Sequence, residues 1–213
     1  MEHAMTEDVR VTVNEASYIL GQPSAVINKA VDEGIVKAVI RRRGRLSSRL
    51  FGLPELRFYR VASDLGTELT PSGRKSIYRA IRALPARQRR LRWGPFETDL
   101  AALDRELLRN LKRLRALKDD IEVVGDAEPV IRGTDIPAYA IAGLSAGQSV
   151  SQILEDYPTL SRAQVEAAIE YAKVYPKKGR PYPARSFKRM VGDIGLQDVR
   201  IAKSAKGPRE IEQ

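Results

Sequence analysis

Apolar residues recur along this chain at two spacings, and the switch between them marks its elements. In "VTVNEASYILGQPSAVINKAVDEGIV" the spacing is helical twice over. Asn14 can cap a short helix over residues 15–20 that Gly21 ends, and Ser24 can cap a second that runs to about 33 before Gly34 stops it. Ala16, Ile19, Leu20, Val26, Ile27, Ala30 and Val31 form one apolar stripe, which leaves Ser24, Asn28 and Lys29 facing outward. The next stretch, "VKAVIRRRGRLSSRLFG", reads as strand, Gly-containing turn and strand, hence a hairpin. "LPELRFYRVASDLG" and "TPSGRKSIYRAIRALP" return to helical spacing, the second with Thr70 as cap and Pro71 at its first position. Residues 85–95 read as a linker leading into a strand. Asp99 or Asp104 then introduces a long amphipathic helix, roughly 103–118, with Leu103, Leu107, Leu111, Leu114 and Leu117 on one seam. Such a seam packs inside its own chain or forms a dimer interface, and a homodimer is expected here.

From Ile121 a strand pair is expected in "IEVVGDAEPVIRGTDIP", and Pro137 can only begin the helix that follows. Three short helices are predicted at about 138–146, 149–157 and 161–175, with Ser149 and Ser161 as caps and Gly147 and Pro158 as breaks. Ile141, Leu144, Val150, Ile153, Leu154, Leu160, Val165, Ala168, Ile169 and Ala172 suffice for a small trihelical core. Past Pro176 the prolines at 176, 181 and 183 and Gly179 forbid a helix at first, while Phe187, Met190 and Val191 offer apolar anchors with no obvious core to join. This is the pattern of an extension that orders on a partner, or of a basic tail. The expected architecture is mainly α with small β elements. Residues 1–84 form a winged helix-turn-helix, 85–120 a linker strand and long helix, 121–175 a trihelical helix-turn-helix-like unit, and 176–213 an extended tail.

Charge sharpens this division. The net charge is +10, but residues 1–120 carry 24 Lys and Arg against 15 Asp and Glu, residues 121–175 carry 3 against 8, and residues 176–213 carry 10 against 4. The chain is basic, acidic, basic, which points to a polyanion partner for its first half. No acid lies between Gly34 and Pro54, so Lys37, Arg41, Arg42, Arg43, Arg45 and Arg49 have no local counter-charge. A basic hairpin directly after a helix-turn-helix suits a wing on the phosphate backbone, although an ordinary soluble hairpin would look the same. Arg74, Lys75, Arg79 and Arg82 form a second cationic edge beside the Ile77, Ala80, Ile81 and Leu84 stripe, suited to phosphate or to solvent. The acidic 121–175 unit is not expected to bind phosphate.

Chemistry is sparse. With no cysteine and a single histidine, His3, there is little for a disulfide, a zinc site or a catalytic triad to use. The adjacent acids Asp119 with Asp120 and Glu155 with Asp156 read as capping or solvated charges, Trp93 and Phe96 as packing residues, and no glycine loop has the order a phosphate cradle needs. No catalysis, metal or cofactor is expected. The polar, acidic "MEHAMTEDVR" is unlike a secretion leader, and no apolar run approaches membrane-spanning length, so a cytoplasmic protein without membrane association is expected.

"PVIRGTDIPAYAIAGLSAGQSVSQILEDYPTLSRAQVEAAIEYA" closely resembles a small domain-of-unknown-function family with a P-V-I-x-G-T-R-I-P core followed by L-x-x-G-x-S-x-x-x-I-L-x-x-Y-P-x-L. Asp135 stands where that family usually has arginine. The family resembles VapB-type antitoxins, whose genes typically lie beside a PIN-like toxin, a metal-dependent ribonuclease. The phrase "VNEASYILGQPSAVINKAVDEGIV" is similar to a MerR-like winged helix-turn-helix, and longer antitoxins of this class carry both parts. The resemblance implies an antitoxin that represses its own operator. Ser24, Asn28 and Lys29 would meet base edges or phosphates, and Arg41, Arg42, Arg43, Arg45 and Arg49 the DNA backbone. It also implies that the tail covers the toxin, where an arginine or lysine can displace metal from a carboxylate site. Arg180, Arg185, Lys188 and Arg189 are the candidate cations, Arg185 first, with Tyr182, Phe187 and Met190 as anchors. The homodimer would sit within this larger complex. Two alternatives stay open: a free-standing MerR-like regulator without a toxin, and a nucleic-acid scaffold without sequence preference.

Overall fold

The computed structural model describes residues 9–190, apart from 45, 67–68, 86–87, 126 and 187–188. The fold is mainly α with small antiparallel sheets, as the pattern predicts. It begins with β1 (Val11–Thr12), α1 (Val13–Leu20), α2 (Ser24–Asp32) and the hairpin β2 (Val39–Arg43) and β3 (Leu46–Phe51). β3 lies between β1 and β2, with Val11 opposite Phe51 and Arg41 and Arg42 opposite Ser48 and Ser47. The caps differ from expectation by one or two residues. Thr12, not Asn14, caps α1, because Glu15 three residues on completes a capping box: the Thr12 hydroxyl accepts from the Glu15 N–H and Glu15 Oε2 accepts the Thr12 N–H at 2.7 Å. Pro23 holds the N-cap position of α2 without a side-chain bond, and Ser24 is its first helical residue. Gly21, in the left-handed region at φ 63°, turns the chain between the two helices.

α3 (Leu53–Asp64) and α4 (Pro71–Ala83) close this unit over Phe51, Leu56, Phe58, Ile77 and Ile81, all essentially inaccessible. Three edge-on aromatic pairs join Phe51 and Phe58 to Tyr59, and Phe58 to Tyr78, at 5.9, 5.6 and 5.3 Å between ring centres. The stretch expected as a linker folds back instead. The hairpin β4 (Arg90–Trp93) and β5 (Phe96–Asp99) buries Leu91, and Trp93 Nε1 donates to Ser76 Oγ on α4 at 3.0 Å. Trp93 and Phe96 pack against the core, as expected.

The long helix α5 (Ala101–Asp120) starts after Asp99, whose carboxylate accepts the Ala101 N–H at 2.8 Å. Asp104 lies a turn further on, facing inward. It makes a paired bond with Arg57 of α3, Nε to Oδ1 at 2.8 Å and Nη2 to Oδ2 at 2.7 Å, with both side chains about nine-tenths buried. Leu107, Leu111, Leu114 and Leu117 are buried in the same core as α1 and α3. The leucine seam is therefore consumed within the chain and does not offer the dimer interface expected of it.

The remaining unit has the strand pair β6 (Ile121–Glu122) and β7 (Val130–Ile131), then α6 (Ala138–Leu144), α7 (Val150–Asp156) and α8 (Arg162–Val174). Ser149 and Ser161 cap α7 and α8, each with a glutamine three residues later closing a capping box. Ile131, Ile141, Ile153, Val165 and Ala168 form the second core. α8 serves both cores: Ala168 and Tyr171 face the trihelical one, Ala167 and Val174 the one beneath α1 and α5. Among the described residues no helix is long and apolar enough to cross a membrane.

Candidate functional site

The outward side of α2 and the β2–β3 hairpin form the first candidate surface. α2 is seated by Ile27, fully buried, whose carbonyl accepts the Tyr59 hydroxyl at 2.9 Å. Lys29 is exposed, and Ser24 and Asn28 are half-buried beside it. Val26, expected in the buried stripe, is 49% exposed on the same outward side. Arg41 and Arg42 project from β2 and are exposed, with only Ser48 and Ser47 as cross-strand neighbours and no carboxylate partner among the described residues. Arg43 ends that strand, and Arg45 lies outside the described residues. β2 is an edge strand, and Val39 and Ile40 just before the arginines are 55% and 53% exposed.

Arg49 departs from the expected row of unpartnered cations. Its Nη1 donates to Asn28 Oδ1 at 2.9 Å and its Nη2 to Asp32 Oδ1 at 2.6 Å, so it ties the hairpin to α2. The acid was invisible locally because Asp32 lies on the preceding helix. Arg49 and Asn28 thus set the angle between helix and hairpin, while Arg41 and Arg42 carry the outward charge and Lys29 stands 3.7 Å from Glu33 on its own helix. A groove of about 660 Å³ beside α4 adds Lys37, Lys75, Arg79 and Arg82, lined by no carboxylate. Tyr78 in its wall is pushed up to about 12 by burial and by its bond to Glu55, so it remains a neutral hydroxyl.

The second candidate surface is the trihelical unit with the segment after it. "IRGTDIP" makes a tight turn: Gly133 is left-handed at φ 76°, the Thr134 hydroxyl donates to the Ile131 carbonyl at 2.8 Å, and the Ile136 carbonyl accepts the Ile131 N–H at 2.9 Å. Asp135 is exposed on this turn. Residues 176–190 were expected to find no core within the chain, yet Tyr182, Ala184, Ser186 and Arg189 lie against α6, α7 and the turn between them. Tyr182 donates to Glu128 Oε2 at 2.7 Å and Lys177 bonds Glu128 Oε1 at 2.5 Å. Arg189 bonds Asp156 at 3.0 Å and Glu155 at 2.6 Å. Asp156 departs furthest from expectation: read as a capping or solvated charge, it has a side chain that is 4% exposed and receives Gln148, Ser186 and Arg189. Arg180 and Arg185 are exposed, Met190 is 43% exposed, and Phe187 and Lys188 lie outside the described residues.

Residues 124–172 match a family described as protein of unknown function (DUF433). The chain is also similar to the uncharacterized protein y4eO of Sinorhizobium fredii (strain NBRC 101917 / NGR234), 34% identical over 84 residues, which are 37% of this chain and 35% of that protein. The similarity thus spans about a third of the relative's length. No solved structure matches the chain.

A latch that the sequence pattern did not reveal ties α1 and α5 to the end of α8. Glu15, which closes the capping box of α1 and is 5% exposed, holds Lys118 of α5 at 2.6 Å and the Tyr175 hydroxyl, just past α8, at 2.5 Å. Tyr175 in turn accepts the Tyr139 hydroxyl on its carbonyl at 2.8 Å. The capping-box spacing Thr12-x-x-Glu15 was the available signal for Glu15; nothing local signalled Tyr175. Burial alone would raise the Glu15 and Asp156 carboxyls, but their hydrogen bonds outweigh it and hold both below the ordinary range. A carboxyl depressed on folding contributes stability above its unfolded value, near 4.5 for Glu and 3.8 for Asp, and loses it as the pH falls through its folded value. The melting temperature is therefore expected to drop below about pH 4.5, and Glu15→Gln to flatten part of that drop in thermal melts between pH 3 and 7. An unchanged slope in the variant would remove Glu15 from the acid response. Among the described residues no group of three or more His, Asp and Glu side chains could hold a metal ion.

Proposed function

We propose that this protein is the antitoxin of a type II toxin–antitoxin system, binding a PIN-like ribonuclease toxin and repressing its own operator through a MerR-like winged helix-turn-helix. The observation that carries the DNA half is the pair of exposed cations, Arg41 and Arg42 on the hairpin, that have no carboxylate partner among the described residues. Exposed arginines on both faces of a hairpin tip, without a carboxylate partner among the described residues, favour a polyanion, because bound phosphate releases its counterions and no internal pair has to be broken. The toxin half is supported by the resemblance of the PVIRGTDIP segment and by exposed cations at Arg180 and Arg185. In this reading the protein works in the cytoplasm, as a homodimer within a larger complex, and is not an enzyme.

The seating of Tyr182 and Arg189 on the chain's own Glu128 and Asp156 favours a second reading, a free-standing regulator whose tail belongs to its own fold. Co-expression with a PIN-like ribonuclease encoded next to the gene separates the two. The antitoxin reading expects a co-purifying complex and restored growth, both weakened by Arg180→Ala with Arg185→Ala. No complex and no rescue, with the protein still protecting its own promoter in a footprint, would leave the regulator.

A further inference from the structure

The surface of α6 and α7 on which residues 182–186 lie is built to accept a chain at backbone distance. Gly143 and Gly147 leave no room for a side chain. A Cβ on Gly143 would stand 2.7 Å from the Cβ of Tyr182, and one on Gly147 would stand 2.6 Å from the carbonyl oxygen of Ala184. Both are distances that atoms do not tolerate, so any larger residue there would lift the segment away. The glycines are an adjacent-turn pair, four residues apart, that brings the segment onto the helix and its following turn.

Polar recognition is placed at both ends of this contact. At one end both oxygens of Glu128 are used, one by the Tyr182 hydroxyl and one by Lys177, whose ammonium also stands 4.5 Å from the Tyr182 ring centre. At the other end Asp156 Oδ2, almost wholly enclosed, accepts from Ser186 Oγ at 2.6 Å and from Arg189 Nε at 3.0 Å. The buried Gln148 orients this carboxylate with its amide nitrogen at 2.8 Å, and its carbonyl oxygen accepts the Ser186 N–H at 3.1 Å. Arg189 also reaches the Gln152 carbonyl, at 3.2 Å. A buried carboxylate needs such donors, because an unpaired charge there is costly. The surface therefore selects tyrosine, a close-lying backbone, serine and arginine in a fixed order.

The segment is anchored at these points through side chains rather than through a strand ladder. It forms no strand or helix through residue 186, and it is reached through Pro176, a left-handed Gly179 at φ 95°, and Pro181. We propose that this surface is a peptide-recognition site for an extended basic segment of the pattern Tyr-x-x-x-Ser-x-x-Arg, and that residues 182–186 with Arg189 are its exchangeable occupant. A short tether gives the attached segment an effective concentration on the order of millimolar, so in the native chain it excludes the same peptide added from outside at lower concentration.

The test uses a fluorescent peptide, RPYPARSFKRM, corresponding to residues 180–190, and needs neither toxin nor DNA. It is titrated into the full chain and into the full chain carrying Tyr182→Ala with Arg189→Ala, which weakens the tethered occupant; circular dichroism checks that both are folded. The anisotropy titration is expected to show at least about tenfold tighter binding to the double variant, since three charge-assisted bonds of the competitor, from Tyr182 to Glu128 and from Arg189 to Asp156 and Glu155, are gone. On that same protein the peptide carrying Arg189→Ala, or a scrambled peptide of equal charge, is expected to lose the gain. Equal binding of the scrambled peptide, or no binding to the folded double variant, would overturn the site.

Discussion

Replacing Asp104 by alanine is expected to cost about 3–5 kcal/mol of folding stability, because it leaves the Arg57 guanidinium buried without its counter-charge. The two groups join α3 to α5 through a bidentate bond deep in the main core, where neither can turn to water. The cost therefore reflects less the worth of the pair than the penalty of half a pair. The paired replacement Arg57→Met with Asp104→Leu, which removes both charges and keeps the volume, is expected to recover most of the loss. For a chain of this size each kcal/mol moves the melting temperature by roughly 2–4 °C, so Asp104→Ala should melt on the order of 10 °C lower. Urea denaturation of the two variants checks the claim. A loss below about 1 kcal/mol for Asp104→Ala, or a double variant no better than the single one, would show that the pair is effectively solvated.

That pair also shows where reading the sequence stopped. Helices with a one-sided apolar stripe and a Ser or Thr cap were legible: α4 behind Thr70 and Pro71, and α7 and α8 behind Ser149 and Ser161, lie close to where spacing and capping predict them. These are local signals, carried by residues three or four apart. The fate of charged residues was not legible, because a partner can lie anywhere in the chain. Asp104 reads as a helix-opening acid until Arg57, 47 residues earlier, is seen beside it. Asp156 reads as a solvated helix-end acid until Ser186 and Arg189 close over it. The leucines of α5 were identified correctly as a seam, but a seam carries no label for the partner it meets, and α1, α3 and α8 take it. On the basic surface the same limit explains Arg49. Six cations in a row without a local acid looked equivalent, and Asp32 on the preceding helix singled out one of them.

The distinction between Arg49 and its neighbours has a consequence for DNA binding that solution measurements can read. Arg41 and Arg42 are exposed and have no carboxylate to leave among the described residues, so under the proposed function each neutralises about one phosphate. Arg41→Ala with Arg42→Ala should then lower the slope of log affinity against log salt by about 1.8, at about 0.9 for each phosphate left unneutralised. If the high-salt affinity is unchanged, the loss at 0.1 M salt is on the order of 10–100-fold, and it falls similarly on operator and unrelated DNA, because backbone contacts carry little sequence information. Arg49→Ala is expected to behave differently. It frees Asn28 and Asp32 and loosens the hairpin against α2, so it should erode the preference for operator over unrelated DNA more than the salt slope. Fluorescence anisotropy with the gene's own promoter and a scrambled duplex, from 50 to 300 mM salt, gives both quantities. A double variant with the wild-type slope would take the hairpin off the DNA. An Arg49 variant indistinguishable from Arg41→Ala would mean that its bonds to α2 are given up on binding and that all the hairpin arginines act alike.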